Sequence, residues 1–153
     1  MLSMKAKYGL KAALRLARDF GRGPVLIADL AIEESIPKKF LELILLELKQ
    51  HGLLQSKKGK GGGYLLARRP AEISVGEVLR VLDGSLTPVP CVSQHGYRPC
   101  DECKDPSTCS IRRVMSEVHD ATTTILDATS LEQLAKPYAG DLRHRSSLQR
   151  YHI

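Results

Sequence analysis

Tryptophan is absent from the 153 residues, and only five tyrosines and two phenylalanines supply aromatic surface. Proteins that grip single-stranded nucleic acid stack its bases on aromatic rings, so this poverty favours a duplex over a single strand as any nucleic-acid partner. Also missing is an uncharged apolar run near the roughly 20 residues that cross a bilayer, and no transmembrane helix is expected. Lys5, Lys7, Lys11, Arg15, Arg18 and Asp19 interrupt every early stretch that would serve as the apolar part of a secretory signal. The expected location is the cytoplasm. The length leaves no room for a multidomain enzyme. With 42% apolar and 26% charged residues the chain can form a core and is not expected to be disordered.

What is present is unevenly placed. The net charge is +6, with 15 Lys/Arg against 9 Asp/Glu up to Asp83 and 8 against 8 beyond it. All the excess is amino-terminal, as expected where one half of a protein meets a polyanion and the other has a different task; the plain alternative is a soluble basic surface. Four cysteines, Cys91, Cys100, Cys103 and Cys109, fall within nineteen residues of the neutral half. Cytosolic thiols are kept reduced, so such a cluster points to a metal or redox site rather than a disulfide framework.

Along the chain, Leu10, Ala13, Leu14 and Ala17 share one face of a helix over about Ala6–Phe20, with Lys7, Lys11, Arg15 and Arg18 largely on the other. A short helix follows Pro24 and runs to about Glu34. After a turn at Glu34–Ile36, Pro37 suits the first position of a third helix, in which Phe40, Leu41, Ile44, Leu45 and Leu48 repeat until Gly52. Two short helices joined by a tight turn make a helix-turn-helix. The period then shortens. Leu53–Ser56 and Tyr64–Ala67 read as strands around a tip of Lys57, Lys58, Gly59, Lys60 and three further glycines, which is a hairpin wing. A phosphate-cradling nucleotide loop would need a helix after the glycines, and extended residues and Pro70 stand there instead.

Ser74, with Glu77 three residues on, has the spacing of a capping box for a helix ending at Gly84. Next comes a segment with five prolines and glycines and every cysteine, without apolar period; so long a loop is expected to be ordered by something, and metal ligation is one means. A last helix carries Ile111, Val114, Met115, Val118, Thr122, Ile125 and Leu126 in steps of three and four. So narrow a seam favours pairing with a second copy over packing on its own domain. The predicted fold is mainly α (α+β). It comprises a winged helix-turn-helix domain over residues 1–84 with a two-stranded wing, a cysteine-rich cofactor loop over 85–109, a long dimerisation helix region over 110–135, and a flexible tail over 136–153.

A helix-turn-helix presents the start of its second helix to the major groove, here Pro37, Lys38, Lys39, Phe40 and, one turn on, Glu42. Lysines bind phosphates or guanine edges, and Glu42 can accept a hydrogen bond from the amine of cytosine, unless it is simply a solvated helix residue. At the wing, Lys57, Lys58 and Lys60, with Gly61, Gly62 and Tyr64, are the candidate contacts; Lys58 and Lys60 suit a narrow, electronegative minor groove, with a solvated loop as the alternative. For the thiols, spacing alone favours a closed tetrahedral zinc site. Iron-sulfur ligation and a reversible Cys100–Cys103 disulfide are the other readings.

Several strings together are more specific. Lys7-Tyr8-Gly9-Leu10, Gly52-Leu53-Leu54 leading into Gly59-Lys60-Gly61-Gly62-Gly63-Tyr64-Leu65-Leu66, Val75-Gly76-Glu77-Val78 and the cysteine loop resemble the winged-helix bacterial regulator family that includes IscR, NsrR and CymR, from about Met4 to about Leu134. The resemblance implies a homodimer whose long helices cross, each monomer sending its recognition helix and wing to half of a near-palindromic operator, with Glu42 at a base-reading position and Lys58 at the basic wing position. It also implies an iron-sulfur cluster, 2Fe-2S, with zinc as the alternative. Cluster-bearing members have three cysteines with five residues between successive ones. Here Cys103 and Cys109 keep that spacing and Cys91 opens the loop, but the pattern is Cys-x8-Cys-x2-Cys-x5-Cys, and Arg112 stands where IscR-like proteins have a histidine ligand. Cys100 is the replacement on offer, with His95 or a residue of the second subunit as alternatives. The chain is therefore read as a DNA-binding regulator and not an enzyme. Cys91 with His95 is the only local pair resembling a nucleophile and base, His119 reads as a packed or solvated histidine, and an electron-transfer or scaffold protein is the reading from a different class.

Overall fold

The computed structural model describes residues 2–94 and 96–137. The expectations for His95 and for the tail from residue 138 lie outside the described residues.

The first helix, α1 (Met4–Arg18), begins two residues earlier than the apolar period suggests, because Ser3 caps it by accepting from the Ala6 amide at 3.0 Å. Its buried face is almost all small: Ala6, Gly9, Ala12, Ala13 and Ala17, with Leu16. That lets neighbouring helices approach closely. A Cβ at Gly9 would stand 2.0 Å from Leu82 Cδ1. The helix-turn-helix follows as α2 (Ile27–Glu33) and α3 (Lys38–Gln50). Pro37 is the residue before α3, with φ −57° and ψ 124°, rather than its first helical residue. Its carbonyl accepts from the Leu41 amide at 2.9 Å. Ser35 makes the corner with φ +54°. Leu41, Ile44, Leu45 and Leu48 carry the whole buried face of α3.

The wing is an antiparallel pair, β1 (Leu54–Lys57) and β2 (Gly63–Leu66), in register Leu54–Leu66 through Lys57–Gly63. Val25 adds a bridge that the sequence did not announce. Its amide reaches Tyr64 O at 2.8 Å and its carbonyl accepts from the Tyr64 amide at 2.9 Å. The chain entering α2 is thereby tied to the wing. Helix α4 (Val75–Asp83) is capped as expected, with the Glu77 amide donating to Ser74 Oγ at 3.1 Å. The Glu77 carboxylate pairs with Arg68.

The long final helix divides. Helix α5 runs Ser110–Ala128, and a separate short α6 spans Leu131–Ala135, opened by a full capping box between Ser130 and Gln133. Leu131 is completely buried in the amino-terminal core. Around this junction the chain is clamped. The Val75 amide donates to Thr129 O at 2.8 Å, the Leu131 amide to Ile73 O at 2.9 Å, and Arg80 makes a two-pronged contact with Asp127, 2.7 Å on each prong. No described residue of α5 is buried; Ile111 and Ile125 are each 67% exposed, and Val114 and Val118 stand out beside them. The molecule is a winged helix-turn-helix with a helical arm that is fixed at its ends and carries an exposed apolar stripe between them.

Candidate nucleic-acid interface and cysteine loop

Ion pairing sorts the basic half into two populations. On α1 three cations are paired, Lys5 with Glu47 at 2.7 Å, Lys11 with Glu34 at 3.7 Å, and Arg15 with both Asp19 and Glu33, while Lys7 and Arg18 are exposed and have no acidic partner among the described residues. Near the wing root, Arg68 meets Glu77 and Arg69 meets Glu72. Lys38, Lys39, Lys57, Lys58 and Lys60 are all exposed, and among the described residues none has an acidic partner. Five uncompensated cations therefore stand at the start of α3 and on the wing. Lys49 Nζ donates to Ser56 Oγ at 2.6 Å, holding the far end of α3 against β1. Glu42 sits on the exposed side of α3 and also lacks an ionic partner among the described residues. A bare carboxylate amid bare lysines is a hydrogen-bond acceptor set in a cationic field.

Three of the expected contact residues turn at least partly inward. Phe40 is half-buried, its ring edge-on to Tyr8 with centroids 5.8 Å apart. Tyr64 is half-buried in the ladder with Val25 and Ser56. Gly62 is buried under the tip, where a Cβ would meet Lys57 O at 2.3 Å, so this glycine permits the turn rather than a ligand's approach. Gly61 is exposed, with open space at its Cβ position. Pro37 is exposed at the entrance to α3.

In the loop, Cys91 is buried in a short helical turn (Pro90–Val92), Cys100 is exposed, and Cys103 and Cys109 are half-buried. Cys109 is the N-cap of α5, its sulfur accepting from the Arg112 amide at 3.4 Å. The Arg112 side chain does not substitute for a ligand. It donates through Nε to the Cys91 carbonyl at 3.1 Å and so stitches the start of the loop to the start of α5. Cys100 faces Cys91 and Cys109. The negative charge on Cys91 is the main reason its thiol is pushed up, followed by desolvation, a hydrogen bond to Cys91 and the charge on Cys109. Cys103 is tied to Cys100 through a 3.0 Å amide-to-carbonyl bond. Thiols that repel as anions suit a soft cation between them. In this conformation, no group of three or more His, Cys, Asp or Glu side chains among the described residues is arranged to hold a metal ion. His119 lies elsewhere, in a polar recess with Arg80, Asp120, Thr123 and Asp127, and its Nδ1 is buried without a hydrogen-bond partner among the described residues.

The sequence from residue 2 to residue 137 matches the Rrf2 family, described as iron-dependent transcriptional regulators. The chain belongs to the Rrf2 family. Among Rrf2 relatives, the rrf2-like HTH-type transcriptional regulator of Rhodobacter capsulatus is 39% identical over 137 residues, spanning 88% of this chain and 91% of that protein. The solved structure of CymR, the global cysteine regulator of Bacillus subtilis, superposes with a TM-score of 0.74 at 31% identity, covering 88% of this chain and 95% of that one. IscR of T. potens superposes with a TM-score of 0.69 at 26% identity, covering 100% and 92%. Rrf2 proteins are DNA-binding transcriptional regulators. No described helix is long and apolar enough to cross a membrane.

Proposed function

We propose that this Rrf2 protein is a cytoplasmic homodimer that binds a specific duplex operator and whose affinity is set by an iron-sulfur cluster, 2Fe-2S, on Cys91, Cys100, Cys103 and Cys109. The observation that carries the DNA-binding part is the set of five unpaired lysines on α3 and the wing, with Glu42 free among them. In each monomer Lys38 and Lys39 take phosphates, Glu42 accepts from a cytosine amine in the major groove, and Lys58 and Lys60 reach the minor groove. The exposed stripe of α5 pairs with its counterpart, fixing the separation of the two recognition helices. The Cys109 sulfur caps the α5 amino terminus and accepts from the Arg112 amide, which fixes one thiol of the set at the start of the arm. When bound, the cluster supplies a charge and redox state that responds to oxidants and iron supply. The loop residues convert that state into the setting of α5.

The test is anaerobic purification with iron, sulfide and zinc analysis, joined to duplex titrations across salt concentrations. Iron and sulfide in equal amounts, an affinity that changes when iron is removed, and a salt slope reduced by about one for each of Lys58→Ala and Lys60→Ala are the expected results. A colourless zinc protein would overturn the cluster, and salt-insensitive association would overturn the interface.

A further inference from the structure

Neither the core nor the phosphate-binding cations account for the outermost line of α3. Its buried residues, Leu41, Ile44, Leu45 and Leu48, define one side. At about 100° per residue, Lys39, Leu43, Leu46 and Gln50 fall on the opposite meridian, with Glu42 on its flank. Leu43 is 64% exposed and Leu46 45%. Lone exposed leucines are ordinary, but these two are neighbours at i and i+3, on the element that carries Lys38, Lys39 and Glu42 without ionic partners among the described residues.

In a major groove the base edges offer donors, acceptors and a single apolar group, the C5 methyl of thymine. We infer that Leu43 is a specificity-determining residue that reads a thymine methyl beside the base contacted by Glu42, with Leu46 flanking it one turn farther along. The inference rests on the DNA-binding reading above and gives it a base identity. A second copy of the chain does not suit this face. Face-to-face pairing would set Lys38, Lys39 and the wing lysines against their own kind, and two leucines fall far short of the roughly 800 Å² per partner of a stable interface. Charge complementarity selects a polyanion, and the duplex is the polyanion that also presents methyl groups.

The experiment replaces thymines by deoxyuridine, which removes the methyl and nothing else. A preferred duplex is first selected from a random library, and each thymine of its half-site is then replaced in turn, at fixed salt, with the wild type and with Leu43→Ala. At one or two positions the wild type loses about fourfold in affinity, the worth of one buried methyl. The variant shows no loss at the same positions, while its salt slope is unchanged. A selected half-site without thymine, a wild type indifferent to every replacement, or a variant that keeps the sensitivity overturns the inference and leaves duplex binding standing. A fall in the solution mass of Leu43→Ala would assign the leucines to a second copy and overturn it as well. Failure to select any duplex bound in a salt-sensitive way would instead overturn the DNA-binding reading, and this one with it. A wild type indifferent to every replacement overturns the inference even if the variant folds poorly.

Discussion

Ser35 occupies the left-handed region at the corner of the helix-turn-helix, where an L residue's Cβ crowds its carbonyl at a cost of about 1–2 kcal/mol. Ile36 immediately after it is buried, and its amide bonds Ala31 O at 2.9 Å, so the corner cannot relax by rotating away. Ser35→Gly removes the crowding and adds chain freedom to the unfolded state worth about 0.5–1 kcal/mol. The net expectation is a gain of about 0.5–1 kcal/mol, seen as a thermal midpoint higher by about 1–4 °C; a lower midpoint would show that the serine hydroxyl is worth more than the strain. The turn was legible from Pro37, but its handedness was not, because serine is not the residue that announces a positive φ. The lysines and Glu42 were legible as solvent-facing by their phase against Leu41, Ile44 and Leu45. Phe40 was legible as a member of the apolar repeat of α3 but its partner was not, and Tyr64 and Gly62 were not legible as partly turned inward. Each meets a group distant in sequence or across the turn, namely Tyr8, Val25 and Lys57 O.

Among the elements, α1 and α4 touch at Gly9, and the Lys7-Tyr8-Gly9-Leu10 string has a steric reason. Gly9→Ala gains up to about 1 kcal/mol of helix propensity but drives a methyl into Leu82 Cδ1, 2.0 Å away. Leu82 is buried, so its side chain has little room to yield, and overpacking of this kind costs about 1–3 kcal/mol. Chemical denaturation should give a lower midpoint for Gly9→Ala, whereas an unchanged or higher one would mean that Leu82 finds another rotamer. The helix-turn-helix and wing were readable because period and punctuation agree there. The Val25 bridge was not, since one residue after Pro24 has no alternation to betray it. Nor was the break between α5 and α6, because apolar residues continue through Ile125, Leu126, Leu131 and Leu134 with neither proline nor glycine. The signal present was Ser130 with Gln133, the same capping grammar that located α4.

For the molecule as a whole, the contact that fixes α5 to the winged domain is the Arg80–Asp127 fork. The Arg80 hydrogen bonds hold the Asp127 carboxyl below its ordinary value, against a smaller opposing effect of burial. A depressed carboxyl stabilises the fold above the unfolded-state pKa of about 3.9 and ceases to do so as pH falls through the depressed value. Thermal melts of wild type and Asp127→Asn should therefore differ at neutral pH and converge below about pH 4; a gap that persists in acid would assign the effect to packing instead. Both side chains are partly exposed, so the gap is modest. The fork sits beside the backbone bonds of Thr129 and Leu131, all at one end of α5, whereas Cys109 is at the other. With 19 residues at 1.5 Å each, α5 is a lever about 28 Å long whose fulcrum lies at residues 127–131. A thiol-driven shift of about 2 Å at its tip turns the fulcrum by only about four degrees. Within one chain the winged domain would feel almost nothing of it; under the proposed function the stroke would run along the bare stripe of Val114 and Val118, to whatever leans on it.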